Sequence, residues 1–418
     1  MPDPAIFSPS IELTTGEGAH GVAAGDINGD GINDLVVVNA GTDSVSVLLG
    51  LGDGTFQSAV SYGVVGDQPK SVVLVDFNGD GRLDLLTANQ GDAGTVSILY
   101  NNPNSVGTFL PAVVLGGAPG SHEAVAADVD LDGDLDIAVA GWGGSIIRVL
   151  LNSGSGVFSS SNSFVYNVGN APHSLQFGDF NNDSRPDLAV ANTNSGSVTI
   201  LLNGVAGAAA GTFTATATYS VGGGPHSIRL ADVDGDGNLD LATANQDSDS
   251  ISLLLGQGNG TFMSTAPLGT GPVPKGIAIA DVNGDGLLDL LTANTAGNYP
   301  NNSNNPGGNS ISIHYGQGEG VFSAPVTVTT GNTPFAVIAA DFNADGLLDL
   351  ATANWFGSGG SGSAGVLINA SVPPVNDGTG PAATLTASNI TVAPGGAYTF
   401  TVRYVDPSGV DVTTIDST

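Results

Sequence analysis

Seven near-copies of a nine-residue acidic loop recur along the chain, and each copy is set among four strand-like stretches. The N-terminal segment reads like the one stretch missing from the last copy. Together these observations predict an all-β protein: a seven-bladed β-propeller with the N-terminal strand closing the last blade, followed by the start of an immunoglobulin-like β-sandwich. The loops span residues 26–34, 76–84, 128–136, 179–187, 232–240, 281–289 and 341–349, at steps of 50, 52, 51, 53, 49 and 60 residues. The long step holds an Asn/Gly/Pro-rich insertion at 296–308.

Each period has the same grammar. An apolar stretch leads into the loop (HGVAAGD, KSVVLVD) and a second follows it (DLVVVNA, DLLTANQ). An alternating run such as Ser44-VSVLLG comes third, and Gly-x-Phe opens a fourth, as in Gly54-TFQSAVSYG. Val, Ile, Leu and Thr dominate, Gly, Asn and Asp punctuate, and no segment has a helical period. The last period stops after Gly365-VLINAS, while Phe7-SPSIELTTG reads like Phe322-SAPVTVTTG, so the N-terminal strand is expected to complete the ring and remove an open sheet edge. The domains expected are 1–369 for the propeller, 370–381 for a Pro/Gly/Asp linker, and 382–418 for a truncated immunoglobulin-like domain. The 37 residues of that last piece fall short of the roughly 100 such a sandwich needs, so a longer modular protein is expected.

Composition narrows the function classes. Of 418 residues, 39 are acidic and 7 are Lys or Arg, a formal charge of −32. Nucleic-acid binding, which needs clustered cations, is not expected, and neither is adhesion to anionic lipid. No Cys is present, which excludes disulfides, zinc–thiolate sites and cysteine catalysis. No apolar run approaches the roughly 20 residues of a membrane span, so membrane insertion is not expected. Met1-Pro-Asp-Pro lacks the basic and apolar regions of a secretion signal, which is then expected to be removed or not included.

The loops read D-x-[DN]-x-[DN]-G-x-x-D, with side-chain oxygens at positions 1, 3, 5 and 9 and a backbone carbonyl available at 7. The sets are Asp26, Asn28, Asp30, Ile32 and Asp34; Asp76, Asn78, Asp80, Arg82 and Asp84; Asp128, Asp130, Asp132, Asp134 and Asp136; Asp179, Asn181, Asp183, Arg185 and Asp187; Asp232, Asp234, Asp236, Asn238 and Asp240; Asp281, Asn283, Asp285, Leu287 and Asp289; and Asp341, Asn343, Asp345, Leu347 and Asp349. Carboxylates this dense repel one another unless a cation binds, and a flexible cage of six to eight oxygens suits calcium. Up to seven Ca2+ ions are expected, and seven would bring the formal charge from −32 to −18. The loop beginning at Asp179 has Ser184 where the turn calls for Gly and Pro186 at position 8, so it is expected to be the weakest.

The loop followed by Asp-Leu-[Ala/Val]-x-Ala-Asn, with Gly-x-Phe after the third strand, resembles the FG-GAP/VCBS-type repeats of bacterial secreted proteins. It is similar also to the integrin α-subunit propeller. The resemblance covers residues 7–369. It implies a calcium-loaded, secreted or cell-surface propeller used for adhesion or ligand binding, sometimes attached to or forming a polysaccharide-degrading enzyme. It also implies calcium loops on one face and ligand on the other.

Six residues before each loop's first Asp stand His20, Lys70, His122, His173, His226, Lys275 and Phe335. Four of the five His and both Lys of the chain share this column, at the start of the innermost strand. Four readings are open: a structural ring, a site for an anionic or hydroxyl-bearing ligand, a transition-metal site on His122, His173 and His226, or acid–base catalysis. A second column holds Asn39, Asn89, Gly141, Asn192, Asn245, Asn294 and Asn354, most simply strand-end turn residues. The only tryptophans, Trp142 and Trp355, follow it in two blades, where each either stacks on a sugar ring or caps its blade. The expected function is an extracellular calcium-stabilised module binding a glycan or protein. The alternatives are a polysaccharide lyase or hydrolase on the His/Lys face, and a purely structural spacer.

Overall fold

The computed structural model describes residues 4–91, 94–204, 211–295, 309–356 and 361–371, with the short pairs 383–384 and 403–404. Linker residues 372–381, the sandwich expected over 382–418 and the insertion 296–308 lie outside the described residues, apart from Ala383–Thr384 pairing antiparallel with Arg403–Tyr404. The rest is a ring of seven antiparallel sheets, each ordered inner, second, third and outer strand. Blade 1 shows the pattern: Ala19–Gly25, Asp34–Asn39, Ser44–Leu48 and Val60–Gly63. In blade 5 the outer strand is split into Phe262–Ser264 and Leu268–Gly269, both paired to the third strand.

Blade 7 is made from both ends of the described chain. Ile11–Thr14 pairs antiparallel with Ser363–Leu367, in register Ile11 to Val366 and Thr14 to Ser363. The Phe7–Asn369 bridge and the Ser8 N–H to Ile368 carbonyl bond (2.8 Å) extend the seam. Glu12 accepts from Asn354 Nδ2 at 3.0 Å and from Ser363 Oγ at 2.5 Å.

The core is seven layers, one between each pair of neighbouring blades. Blades 3 and 4 share Ala138, Ile147, Leu175 and Leu188; blades 7 and 1 share Ala351, Val366, Leu35 and Val37, which closes the ring. The first six residues of every second strand are buried because blades cover both of its faces, and only blade 7 runs on into the half-buried Trp355 and Phe356. A continuous apolar run such as Leu35–Val38 is therefore a strand here, although it shows no alternation. Among the described residues the only helix is the 3-10 turn Thr193–Ser195, and no helix is long and apolar enough to cross a membrane.

Candidate functional site

The acidic loops join inner to second strands at one end of every blade. The position-1 carboxylate accepts the backbone N–H of position 6 in all seven, at 2.7–2.9 Å. The position-5 carboxylate accepts the N–H of position 7, at 2.8–3.0 Å. This winding needs positive φ at positions 4 and 6, a demand the motif reveals only at 6. Leu131, Asn182 and Ala344 meet it at position 4 without being glycine, and Ser184 does so at position 6 with φ +65°. The Asp179 loop thus keeps the common shape, at the cost of backbone strain.

The position-9 Asp is the structural anchor. Asp34, Asp84, Asp136, Asp187, Asp240, Asp289 and Asp349 are at most 1% exposed. One oxygen of Asp136 accepts the Val129 N–H (2.9 Å) and the other the Asn152 N–H (2.8 Å), clamping the loop's start to the end of the third strand. Asp240 does the same with Val233 and Gly256, at 2.8 and 2.7 Å. Burial pushes Asp84, Asp136, Asp187, Asp240 and Asp289 up to about 6.

Two loops bring three carboxylates together. Asp128, Asp130 and Asp136, and likewise Asp232, Asp234 and Asp240, offer oxygens within 4.8 Å of one another. These are the two blades with Asp at position 3. Elsewhere that position is Asn, and in blades 1, 4, 6 and 7 its amide donates to the position-5 carboxylate, as from Asn28 to Asp30 (2.9 Å) and Asn283 to Asp285 (3.0 Å). Asp130 Oδ1 is buried without a hydrogen-bond partner. An orphaned carboxylate oxygen inside a three-carboxylate cage fits a hard divalent cation. In blade 2 the position-7 Arg82 pairs with Asp80 at 2.6 Å, an internal counter-ion on a ligand position that the motif does not reveal.

The His/Lys column lies at the other end of the inner strands, six residues or about 20 Å away. The histidines are 5–8% exposed and Lys70 is 8% exposed. The side chains form a stack across the channel: ring centroids are 3.4 Å apart for His122–His173, 3.7 Å for His173–His226, 5.3 Å for His20–His122 and 4.6 Å for His20–Phe335. The half-buried Trp355 packs on Phe335 at 5.4 Å and the half-buried Trp142 on His173 at 5.4 Å. Lys70 Nζ lies 5.5 Å from the Trp355 ring and Lys275 Nζ 5.7 Å from Phe335.

The tautomers follow from the partners. His20 Nδ1 meets the Lys70 carbonyl at 2.9 Å and His226 Nδ1 the Lys275 carbonyl at 3.1 Å. A carbonyl only accepts, so Nδ1 carries the proton and each ring is tied to the next blade. Burial holds all four histidines well below the usual imidazole range, and they are neutral at pH 7. Rings stacked in this way do not converge on a point. Among the described residues, the groups of three or more His or acidic side chains within metal-binding reach are the two Asp triads.

Sequence reasoning missed what lies beneath the stack. Glu123 Oε1 pairs with Arg229 Nη1 (3.2 Å) between blades 3 and 5, and Glu123 Oε2 accepts the Leu175 N–H (3.1 Å). The signal was present: Glu123 occupies a column otherwise filled by Gly, Ser and Ala, and Arg229 one without other charges. The Asn column is buried, its amides donating to third-strand hydroxyls, as from Asn39 to Ser44 and Ser46 (3.2 and 3.0 Å) and from Asn294 to Ser310 and Ser312 (3.2 and 2.9 Å). Blade 3 lacks both partners together, with Gly141, Ile146 and Arg148 in those places.

Comparison with curated protein sequences gave no match. Solved structures share the fold at low identity. One is a protein from Lactobacillus plantarum (14% identical, covering 78% of this chain and 88% of that one, TM-score 0.57). Others are BBS1N in complex with ARL6DN (13%, 88% and 99%, 0.56) and the periplasmic gluconolactonase PpgL of Pseudomonas aeruginosa (16%, 72% and 83%, 0.54). The model of the FG-GAP-like repeat matches residues 26–87, 76–139, 128–190, 179–243, 232–292 and 301–352, and that of the FG-GAP repeat matches 274–314. With the acidic loop in every blade and these matches along most of the ring, the chain belongs to the FG-GAP-like repeat family.

Proposed function

We propose that this chain is a calcium-loaded propeller acting outside the cell as a binding module for a glycan or protein. The observation that carries the reading is the convergence of Asp128, Asp130 and Asp136, and of Asp232, Asp234 and Asp240, into carboxylate cages. Without a cation each cage sets like charges within a few ångströms of one another, and calcium relieves this while accepting irregular oxygen geometry. A fold without disulfides that depends on such ions suits extracellular calcium, where modules of this kind bind at about 10⁻⁴–10⁻³ M. With the loops occupied on one face, ligand meets the other, where Trp142 and Trp355 present half-exposed rings able to stack on a sugar.

Calorimetric calcium titration followed by glycan and protein arrays, with and without chelator, tests the proposal. Saturable calcium uptake and calcium-dependent capture of a ligand, weakened in Trp142→Ala and Trp355→Ala, are expected. Absence of calcium uptake overturns the metal reading. Capture indifferent to both tryptophans overturns the choice of face.

A further inference from the structure

The central channel carries charge of the opposite sign to the rest of the molecule. In a chain of formal charge −32, three of the seven Lys and Arg side chains, Lys70, Lys275 and Arg229, line one cavity of about 80 Å³. The one carboxylate in its wall, Glu123, is already engaged by Arg229 and the Leu175 amide. With the histidines neutral, three cations against one anion leave the lining at +2. Lys275 donates to the neutral Gln246 amide, and both lysines rest over the touching Phe335–Trp355 ring pair. Neither contact supplies the counter-charge that a buried ammonium calls for.

The hydroxyls beneath are set to donate. Ser71 Oγ accepts the Ala124 N–H (3.3 Å) and Ser174 Oγ the Ile228 N–H (3.1 Å), each from another blade, which leaves their own O–H hydrogens for an acceptor. One water requires about 10–15 Å³ of such space, so the cavity takes a group of several heavy atoms and is too small for a sugar chain.

We propose that this channel is a binding site for one small oxyanion, sulfate- or carboxylate-sized, held by Lys70 and Lys275 with serine hydroxyls below, and arriving either as a free ion or as the acidic group of a sugar. The site stands apart from the calcium loops, and calcium is kept saturating and constant in every arm of the test, so failure here leaves the calcium reading standing. Burial lowers both lysines to about 8, which keeps them mostly charged at neutral pH. The groups facing them are His20, His122, His173 and His226, neutral above pH 7, the Glu123–Arg229 pair, and Asp247 beside Lys275.

The experiment is titration with sulfate, acetate, glucuronate and glucose at constant ionic strength, read by calorimetry and melting. Wild type should bind sulfate saturably and glucose not at all. The Lys70→Met/Lys275→Met variant should lose about tenfold or more in sulfate affinity, and Lys70→Arg/Lys275→Arg should retain most of it. Affinity should fall between pH 7 and 9.5 as the lysines discharge, a readout that survives if the Met variant does not fold. Glucuronate binding as tight as sulfate assigns the acidic sugar as the source, and sulfate alone assigns the free ion. No saturable sulfate binding, binding unchanged in the Met variant, or affinity constant over the pH range overturns the proposal.

Discussion

The two ends of the inner strand answer to different constraints. At the loop end the carboxylates of each blade are held by amides of the same blade, as Asp136 is by Val129 and Asn152. A solution that works once can be copied seven times, so the motif repeats almost letter for letter. At the channel end seven residues look into one shared space, and each is constrained by the others. Glu123 makes sense only with Arg229 two blades on, and His20 is oriented by a carbonyl of blade 2. Repetition therefore marks local chemistry, and departure from repetition marks chemistry that spans the ring.

Chelation should break this comparison most forcefully. On the proposed calcium reading, each site at a hundredfold excess of calcium over its Kd would add about 2.7 kcal/mol, and several sites would act together. The melting temperature should fall by more than about 10 °C in excess chelator, and an unchanged value would show that the loops need no ion. Deleting residues 1–16 comes next. It strips the outer strand from Ser363–Leu367 and should cost cooperative melting or solubility, visible in calorimetry and light scattering. A truncated ring that melts like the full one would deny the closing strand its role. Third, Asp240→Ala leaves the buried amides of Val233 and Gly256 unpaired, at about 1–3 kcal/mol each, measurable by denaturant unfolding even without calcium.

Acid sharpens the comparison, because the two ends titrate with opposite sign. The position-9 Asp carboxyls are raised by burial, so the folded chain takes up their protons first and the empty loops gain stability as pH falls through about 6. The four histidines are lowered by burial, so the unfolded chain takes the proton first. Their contribution is full above about 6.5 and is lost below it, at up to about 1.4 kcal/mol per pH unit for each ring. On the proposed calcium reading, bound ions would hold the carboxylates ionised and remove the first effect. From pH 6.5 to 5 the melting temperature should drop steeply with calcium and more gently with chelator, and His173→Phe should flatten the calcium-loaded slope. Equal slopes in both conditions would contradict the assignment. The smallest effect expected is a difference between loops: Asp236→Ala should cost more calcium-dependent stability than Asp183→Ala, whose loop already carries Ser184 at positive φ.

Most of the ring was legible because a propeller repeats its instructions. The seven loops, the four stretches per blade and the kinship of Phe7 with Phe322 are enough to set blade number and closure. The double duty of the position-9 Asp was not legible, because a motif names an oxygen but not the amides it anchors. The Asn column read only as turn residues, because its partners begin the next strand: Ser44 and Ser46 for Asn39, absent in step with Gly141 in blade 3. The His/Lys column was found from its register, yet its character as a stacked, buried plug rather than an open rim depended on the diameter of the channel, which one blade's sequence does not encode.

The seam of blade 7 has a mechanical consequence. Ile11 faces Val366, Phe7 bridges Asn369 and the Ala370 N–H reaches the Ile6 carbonyl, so residues 6 and 371 leave the sheet at the same end. Tension entering at one and leaving at the other peels the two strands apart like a zipper. It meets one hydrogen bond at a time, each worth about 0.5–1.5 kcal/mol, instead of shearing the whole row together. The six one-piece blades carry no such load until the seam has parted. A ring that melts as a unit would thus yield to a pull at a single, predetermined place.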